Sequence, residues 1–454
     1  MIATGRRQRG LALLMLLWLA ILGAALLLEQ QTHTWSLRHQ RDAATDAALA
    51  QAREALIAFA LSDGDQAGRQ PGYLPCPDKG FRGSNRHEGS ADPPCGNKGV
   101  SAIGRFPWLT LGVGPLRDGA GECLWYAVSG SFKDNPAADM LNWDSIGQLE
   151  LHATDGNSLN AGTLAEELAA AVLFAPGPRL PGQQRQTTQE TPLCGGNHGA
   201  GNYLDSGRGI DNAGLAAAPD ALSSLIVGGN ANGVNDRLLA ITPREIFAAV
   251  RKRSDFPAKI REQMQRLALC IAAYGKKNHA GLGDQRLPWA AALALANPSD
   301  DAAYDDKAGR LIGHLPYGVA TSKARAANAM TNTVLVTSEI CGANPPDRGW
   351  YRNWKDHLFY AVAGAYAPSA RRPGVCGPCL SVNGGGRYAA ILIFAGPALG
   401  DQKRSSASDK AVLANYLEQR NALAGSDFFS TPATAEFNDL LYCIDTALQV
   451  APCP

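Results

Sequence analysis

An uncharged run over residues 11–28, entered through Arg6, Arg7 and Arg9, limits what this chain can become more than any other stretch. As a helix rising about 1.5 Å per residue it spans roughly 27 Å, enough to cross the hydrocarbon of a bilayer. Basic residues before the run and none close behind it favour a cytoplasmic N-terminus and a body on the far side of the membrane. A cleavable secretory signal is the competing reading, but no A-x-A-like site closes the run and its apolar stretch is longer than a usual signal core. The helical pattern continues past the lipid. No proline occurs before Pro71, and Leu49, Ala52, Leu56, Phe59 and Ala60 keep the three-and-four spacing of one apolar face. One helix is therefore expected over residues 11–62, ending at Ser62-Asp-Gly-Asp65, with an outer half that needs a surface to pack on.

The 454 residues are enough for two or three domains. With 42 Lys and Arg against 41 Asp and Glu, the chain has no net field to recruit nucleic acid, and none is expected as a partner. Ten cysteines lie between Cys76 and Cys453 and none before, a distribution suited to an oxidising compartment reached only by the body.

The body repeats one design. Ile103-Gly-Arg-Phe-Pro-Trp108, Leu124-Trp-Tyr-Ala-Val-Ser-Gly-Ser-Phe132, Ala170-Ala-Val-Leu-Phe-Ala-Pro-Gly-Pro178, Asn202-Tyr-Leu-Asp205 and Asn235-Asp-Arg-Leu-Leu-Ala-Ile241 follow in order. Their counterparts are Ile312-Gly-His-Leu-Pro-Tyr317, Leu358-Phe-Tyr-Ala-Val-Ala-Gly-Ala-Tyr366, Ala390-Ile-Leu-Ile-Phe-Ala-Gly-Pro397, Asn415-Tyr-Leu-Glu418 and Asn438-Asp-Leu-Leu-Tyr-Cys-Ile444. Upstream, the segment from Gln51 to Phe59 is echoed by that from Gln263 to Ile271, where Ile260, Met264, Leu267, Ile271 and Tyr274 line one face of a helix begun near Pro257. Thr242-Pro243 opens a short helix ending near Arg253, so the joint falls at Ser254-Asp255. The short apolar blocks read as buried strands, which makes each copy an α+β unit, a helix packed on an antiparallel sheet. The expected organisation is a leader over 1–10, a membrane-spanning and amphipathic helix over 11–62, a first head over 63–253 and a second, tandem head over 254–454.

Arg-Gln-Arg-Gly10 before an apolar helix resembles the leader and first helix of type IV pilins and type II secretion pseudopilins. Leu74-Pro-Cys-Pro77, Phe106-Pro-Trp-Leu-Thr-Leu-Gly112 and Leu124-Trp-Tyr-Ala-Val128 are similar to blocks of bacterial pilin-like proteins with large heads. The resemblance implies pilin-like heads, cleavage by a prepilin peptidase between Gly10 and Leu11, and methylation of the new N-terminus. It also implies single-pass residence in the inner membrane with a periplasmic body, exposed outside the cell if in a filament, and other pilin or pseudopilin subunits as partners. Those families usually carry a glutamate at the fifth mature position, thought to pair with the N-terminal amine of the subunit above. This chain has Met15 there, as in the large tip-type minor subunits, which have no subunit above them.

No catalytic site is legible: no His-Glu-x-x-His pair and no Gly-x-Ser-x-Gly elbow occur. Cys376-Gly-Pro-Cys379 copies a redox tetrapeptide, yet Asn383-Gly-Gly-Gly386 follows at once and would break the helix a reactive thiol needs, so a structural disulfide or turn is the reading. Zinc fails for want of a second cysteine pair at suitable spacing. Asn383-Gly-Gly-Gly-Arg387 lacks the Lys-Ser/Thr of a phosphate cradle and reads as a hairpin loop. The stretches from Gly228 to Asp236 and from Asp205 to Asp211 offer oxygen ligands of the kind calcium takes, against their plainer reading as turns; no other cofactor is expected. Trp350, Arg352 and Trp354, within a run that interleaves bases and aromatics, are candidates for surface contact, against a reading as a strand pair with its rings in the core. Pro75-Cys-Pro77 and Pro93-Pro-Cys95 bracket one polar loop, so Cys76 is expected to pair with Cys95; Cys443 with Cys453 is a second candidate pair. The expected function is a non-catalytic, filament-assembling minor subunit at a tip, with a signal-anchored periplasmic binding or adhesion protein as the alternative.

Overall fold

The structure, a computed structural model, describes residues 8–62, 70–80, 87–159, 167–187, 191–228, 233–277, 285–320, 333–370 and 374–454, and within the first helix the side chains of 14–22 and 36–62. Helix α1 (Gln8–Ser62) stops before Asp63-Gly64. Among the described residues no helix is long and apolar enough to cross a membrane. Much of the expected span, the side chains of 11–13 and 23–28, lies outside the described residues, as do residues 1–7 of the leader and the side chains at the Gly10–Leu11 junction. Within the described part, Leu14, Met15, Leu16, Leu17, Trp18, Leu19, Ile21 and Leu22 are each more than 50% exposed. The outer half behaves oppositely: Leu49, Ala52, Leu56 and Ala60 are buried and Phe59 is half-buried.

That buried stripe packs on an antiparallel sheet in the order β1 (Ala102–Arg105), β2 (Trp125–Val128), β4 (Ala171–Ala175), β8 (Arg237–Ile241). Period-two alternation sends Tyr126, Val128, Ala171 and Leu173 into the core shared with α1, and Trp125, Ala127, Val172 and Phe174 to the opposite face. A parallel pair, β3 (Leu149–His152) with β7 (Ser223–Ile226), contributes Leu149, Leu151 and Leu225 to that opposite core. The first head thus has a third layer that the sequence blocks did not announce. A two-residue hairpin, β5 (Ser206–Gly207) and β6 (Ile210–Asp211), lies between.

Helix α2 (Pro243–Arg251) opens with a capping box, Thr242 accepting from the Glu245 amide while the Glu245 carboxylate takes the Thr242 amide. Helix α3 (Phe256–Lys277) buries Met264, Leu267, Ile271 and Tyr274 as its spacing predicts. The second head then adds β9 (Ile312–His314), the pair β10 (Gly318–Val319) and β11 (Thr333–Val334), α4 (Ser338–Cys341), α5 (Arg348–Trp354), β12 (Leu358–Val362), β13 (Leu380–Val382), β14 (Gly385–Phe394), α6 (Ala407–Lys410), β15 (Asp427–Phe428), β16 (Leu440–Asp445) and β17 (Val450–Pro452). Its central order β9-β12-β14-β16, antiparallel throughout, repeats β1-β2-β4-β8, and the parallel pair recurs as β13 with β15. Asn383 and Gly384 form the hairpin turn between β13 and β14.

Register corrects the sequence alignment by one residue. Arg105 faces Trp125 and His314 faces Phe359, so Trp125 and Phe359 are equivalent. Trp125 then pairs with Phe174 while Phe359 pairs with Ile393, which makes Phe394 the counterpart of Ala175 rather than of Phe174. A one-residue slip turns a strand residue to the other face, so Phe394 points to the helix side where Ala175 points. The blocks Asn202–Asp205 and Asn415–Glu418 are not strands; they follow or close 3-10 turns at Ala200–Asn202 and Leu413–Asn415.

All ten cysteines pair, as Cys76–Cys95, Cys123–Cys194, Cys270–Cys341, Cys376–Cys379 and Cys443–Cys453, and no pair crosses from one head to the other. Closing a loop as long as that of Cys123–Cys194 removes about 4 kcal/mol of unfolded-chain entropy, and the Cys376–Cys379 turn about 2 kcal/mol.

Candidate functional site

Three arrangements concentrate the polar chemistry of the molecule. The first joins the heads. The segment before β3 inserts Trp143 among Trp354, His357, Phe394 and Phe256, with ring centroids 4.4, 5.1, 5.6 and 6.4 Å away. Asp144 follows into the same seat, 3.1 Å from His357 Nε2 and 3.3 Å from Arg404 Nη1. Burial works to raise its pKa, but the His357 and Arg404 charges outweigh burial and hold this carboxyl below its ordinary value. Asn353 Oδ1 accepts from the Leu141 amide at 2.7 Å, and Asn142 Nδ2 donates to the Asn353 carbonyl and to Asp356 Oδ1.

This seat withdraws Trp350 and Trp354 from surface contact. Both are at most 3% exposed, and the run they occupy is helix α5, N-capped by Asp347, not a strand pair. The i,i+4 spacing of the two indoles puts them on one helix face, where burial of so much apolar area outweighs any exposed role. Of the three candidates Arg352 alone stays at the surface, paired with Asp139 at 3.0 Å.

The second arrangement is duplicated. In the first head Gln183 Nε2 donates to Asp205 Oδ1 at 2.8 Å, and Asp205 Oδ2 accepts from the amides of Asn235 and Asp236. Asp236 Oδ2 accepts from the Asp205 amide and from Asn212 Nδ2, and Asn212 pairs on both sides with the backbone of Ile226. In the second head Gln402, Glu418, Asn421, Asn438, Asp439 and the backbone of Phe429 take those places. Arg185 lies 4.9 Å from the Tyr203 ring and Arg404 4.5 Å from the Tyr416 ring. Each site buries two neighbouring carboxyl groups. Burial and the Asp205 charge push Asp236 up to about 7; burial and Glu418 raise Asp439. Asp236 Oδ1 and Asp439 Oδ1 accept from nothing among the described residues, as suits the neutral acid. The structure brings Asp205 and Asp236 together with their remaining oxygens accepting N–H donors, while residues 229–232 of the stretch read as a calcium candidate lie outside the described residues. Among the described residues no three metal-ligating side chains cluster. The sequence carried this motif twice, in Gln-x-Arg followed by Asn-Tyr-Leu-Asp/Glu and Asn-Asp, but its first element went unread.

The third is a groove of about 1020 Å³ between helix α1 and the first head, lined by Arg38, Arg41 and Asp42 on the stem and by Ala120, Ala175 and Arg237 on the head. Gly119 meets the stem so closely that a Cβ there would lie 2.1 Å from the Arg41 carbonyl, and its amide donates to Thr45 Oγ1 at 2.9 Å. No sequence pattern marked this groove. Cys376–Cys379 sits in a turn entering β13, without a helix.

Comparison with known proteins finds no matching family, no matching characterised protein and no matching solved structure.

Proposed function

We propose that the chain is a non-catalytic minor subunit of the type IV pilin or type II secretion pseudopilin kind, carrying two pilin-like heads on one membrane helix and standing at a filament tip. The observation that carries this reading is the split character of helix α1. Leu14 to Leu22 present apolar side chains outward, while Leu49, Ala52, Leu56 and Ala60 are buried on an antiparallel sheet of the same chain. Lipid covers the first stretch and the head covers the second. The leader Arg-Gln-Arg-Gly10 supports the same reading, as does Met15, since a carboxylate with no partner in lipid would be costly. The second head has α3 in place of the outer half of α1 and no lipid-facing stretch before it, so it is carried by the first. Co-expression with a prepilin peptidase and intact-mass measurement of the membrane-extracted protein tests the reading. The expected mature chain begins at Leu11; a chain that retains Met1, or one that starts beyond Leu28, refutes it.

A further inference from the structure

We propose that the outer edge of β8 is a docking site for an extended, uncharged strand of another polypeptide, laid antiparallel to β8 as a fifth strand of the first sheet. The internal repeat shows what belongs there. Strand register makes Leu238, Leu239 and Ala240 the counterparts of Leu441, Tyr442 and Cys443. In the second head the chain turns after β16 and returns as β17, pairing Cys443 with Ala451 and Tyr442 with Pro452, and the Cys453 amide donates to the Leu441 carbonyl at 3.1 Å. Under that strand Leu441, Tyr442 and Cys443 are 3–4% exposed. In the first head the chain does not return. Helix α2 runs on from β8 along the stem, with Glu245 in its first turn bonded to Arg53 at 2.7 Å and Arg253, just past its end, donating to the Leu61 carbonyl. Leu238, Leu239 and Ala240 stay half-buried, and β4 is the one strand paired with β8 among the described residues.

Backbone alternation fixes which groups wait at the edge. Arg237, Leu239 and Ile241 turn their amides and carbonyls to β4, so those of Leu238 and Ala240 point outward, where they make no hydrogen bond among the described residues. The opposite edges are guarded in both heads. Asp78 exchanges two backbone hydrogen bonds with Arg105 outside β1, and the Ala291 amide donates to the His314 carbonyl outside β9. On the far side of β17, Pro452 offers no amide, which blunts that edge against further pairing. The β8 edge has neither guard, for Leu238-Leu239-Ala240 contains no proline and no charge. The guest is therefore read from β17, whose segment Gln449-Val-Ala-Pro-Cys-Pro454 carries no charged side chain. Main-chain hydrogen bonds hold such a strand. A charge midway along it would find no partner, because the charged groups at the two ends of the edge, Arg237 and Glu245, already hold Asp42, Asp46 and Arg53.

The test uses the full chain in detergent and a capped peptide of residues 448–454 whose cysteine carries an aromatic thiol as leaving group. Ala240 is the counterpart of Cys443, the partner of Cys453, so in Ala240→Cys a docked peptide presents its sulfur to the introduced thiolate; a new disulfide forms and the aromatic thiolate leaves. Trapping is expected about tenfold or more faster than in Leu423→Cys, an exposed site in a 3-10 turn. It should drop to that control rate when the peptide is N-methylated at Ala451, whose twin in the second head pairs with Cys443. In the natural chain, amide hydrogen exchange at Leu238 and Ala240 should run about a hundredfold or more faster than at Leu441 and Cys443, and should slow when a thiol-free peptide is added. Equal trapping at the two sites, indifference to N-methylation, or exchange at Leu238 and Ala240 as slow as at their counterparts overturns the proposal. Chains that link to each other through the introduced thiol in preference to the peptide assign the edge to a second copy and overturn it as well. None of these readouts depends on cleavage after Gly10, so this proposal and the assembly role fail separately.

Discussion

In the second head the sheet edge beside helix α3 is closed by Phe394, Trp350 and Trp354 and by Trp143 reaching over from the first head. In the first head the residue equivalent to Phe394 is Ala175, buried in the core shared with helix α1, and the turn at Gly119 packs directly on the Arg41 carbonyl. The four central strands, their registers and the buried carboxyl pairs are alike, although β13, β15 and β17 join the second sheet while β3 and β7 stay a separate pair in the first. A duplicated unit brings a duplicated seat. Aromatic residues of the second head take up Trp143 and join the two heads, whereas small residues at the same place in the first admit helix α1.

The carboxyl pairs are where the heads should behave alike, and they carry the largest expected effect. Asp236 is raised from the ordinary 3.8 to about 7, so the folded chain holds a proton that the unfolded chain releases earlier. Its stability is full below the ordinary carboxyl range and is lost as pH rises through about 7, a change of at most about 4 kcal/mol. Asp236→Asn removes the titration and keeps the amide-accepting shape. Urea midpoints taken from pH 4 to pH 8 should fall for the natural chain and flatten in the variant; an unchanged slope would break the equivalence.

Asp144 belongs only to the closed seat and should act with the opposite sign. Its folded pKa is lowered by His357 and Arg404, so its contribution is present above the ordinary carboxyl range and is lost as pH falls through the depressed value. Asp144→Ala leaves Arg404 and His357 buried without their carboxylate partner and should cost about 3 kcal/mol at pH 7, read by urea denaturation. A loss below about 0.5 kcal/mol would mean that the Asp144 ion pairs add nothing to the joint beyond its aromatic packing and the Asn142 and Asn353 hydrogen bonds.

The smallest expected effect converts one head toward the other. Ala175→Phe places at this buried position the residue that the other head has, and by overpacking the core against helix α1 it should cost about 2 kcal/mol, read by urea denaturation. A change below about 0.5 kcal/mol would mean that the edge beside α1 has room for the ring and that the two edges are interchangeable.

Much of this architecture is local enough to be legible in the chain. Thr242-Pro243 and Glu245 mark a helix start by their own hydrogen bonds, and Met264, Leu267 and Ile271 declare a face by spacing alone. Pro75-Cys-Pro77 and Pro93-Pro-Cys95 likewise announce the Cys76–Cys95 loop. Helix α5 was missed because alternating bases and aromatics mimic strand periodicity, although Asp347 as an N-cap and the four-residue interval between Trp350 and Trp354 were both in view. The slip at Phe394 was invisible for a different reason: matching Phe174 to Phe394 scores better as sequence, and only pairing with the neighbouring strand fixes which residue faces the helix.

The sequence by itself determined most of the elements, their order and their repetition, because helix faces, caps and strand alternation depend on residues within a few positions of each other. The tertiary structure decided the rest: that Trp143 and Asp144 are spent inside the molecule, that Asp236 lies against Asp205, and that Arg38 and Arg41 border a groove. Each of these turns on distance and burial between segments remote in the chain, and charge and hydrophobic contact act through space, where sequence separation carries no information.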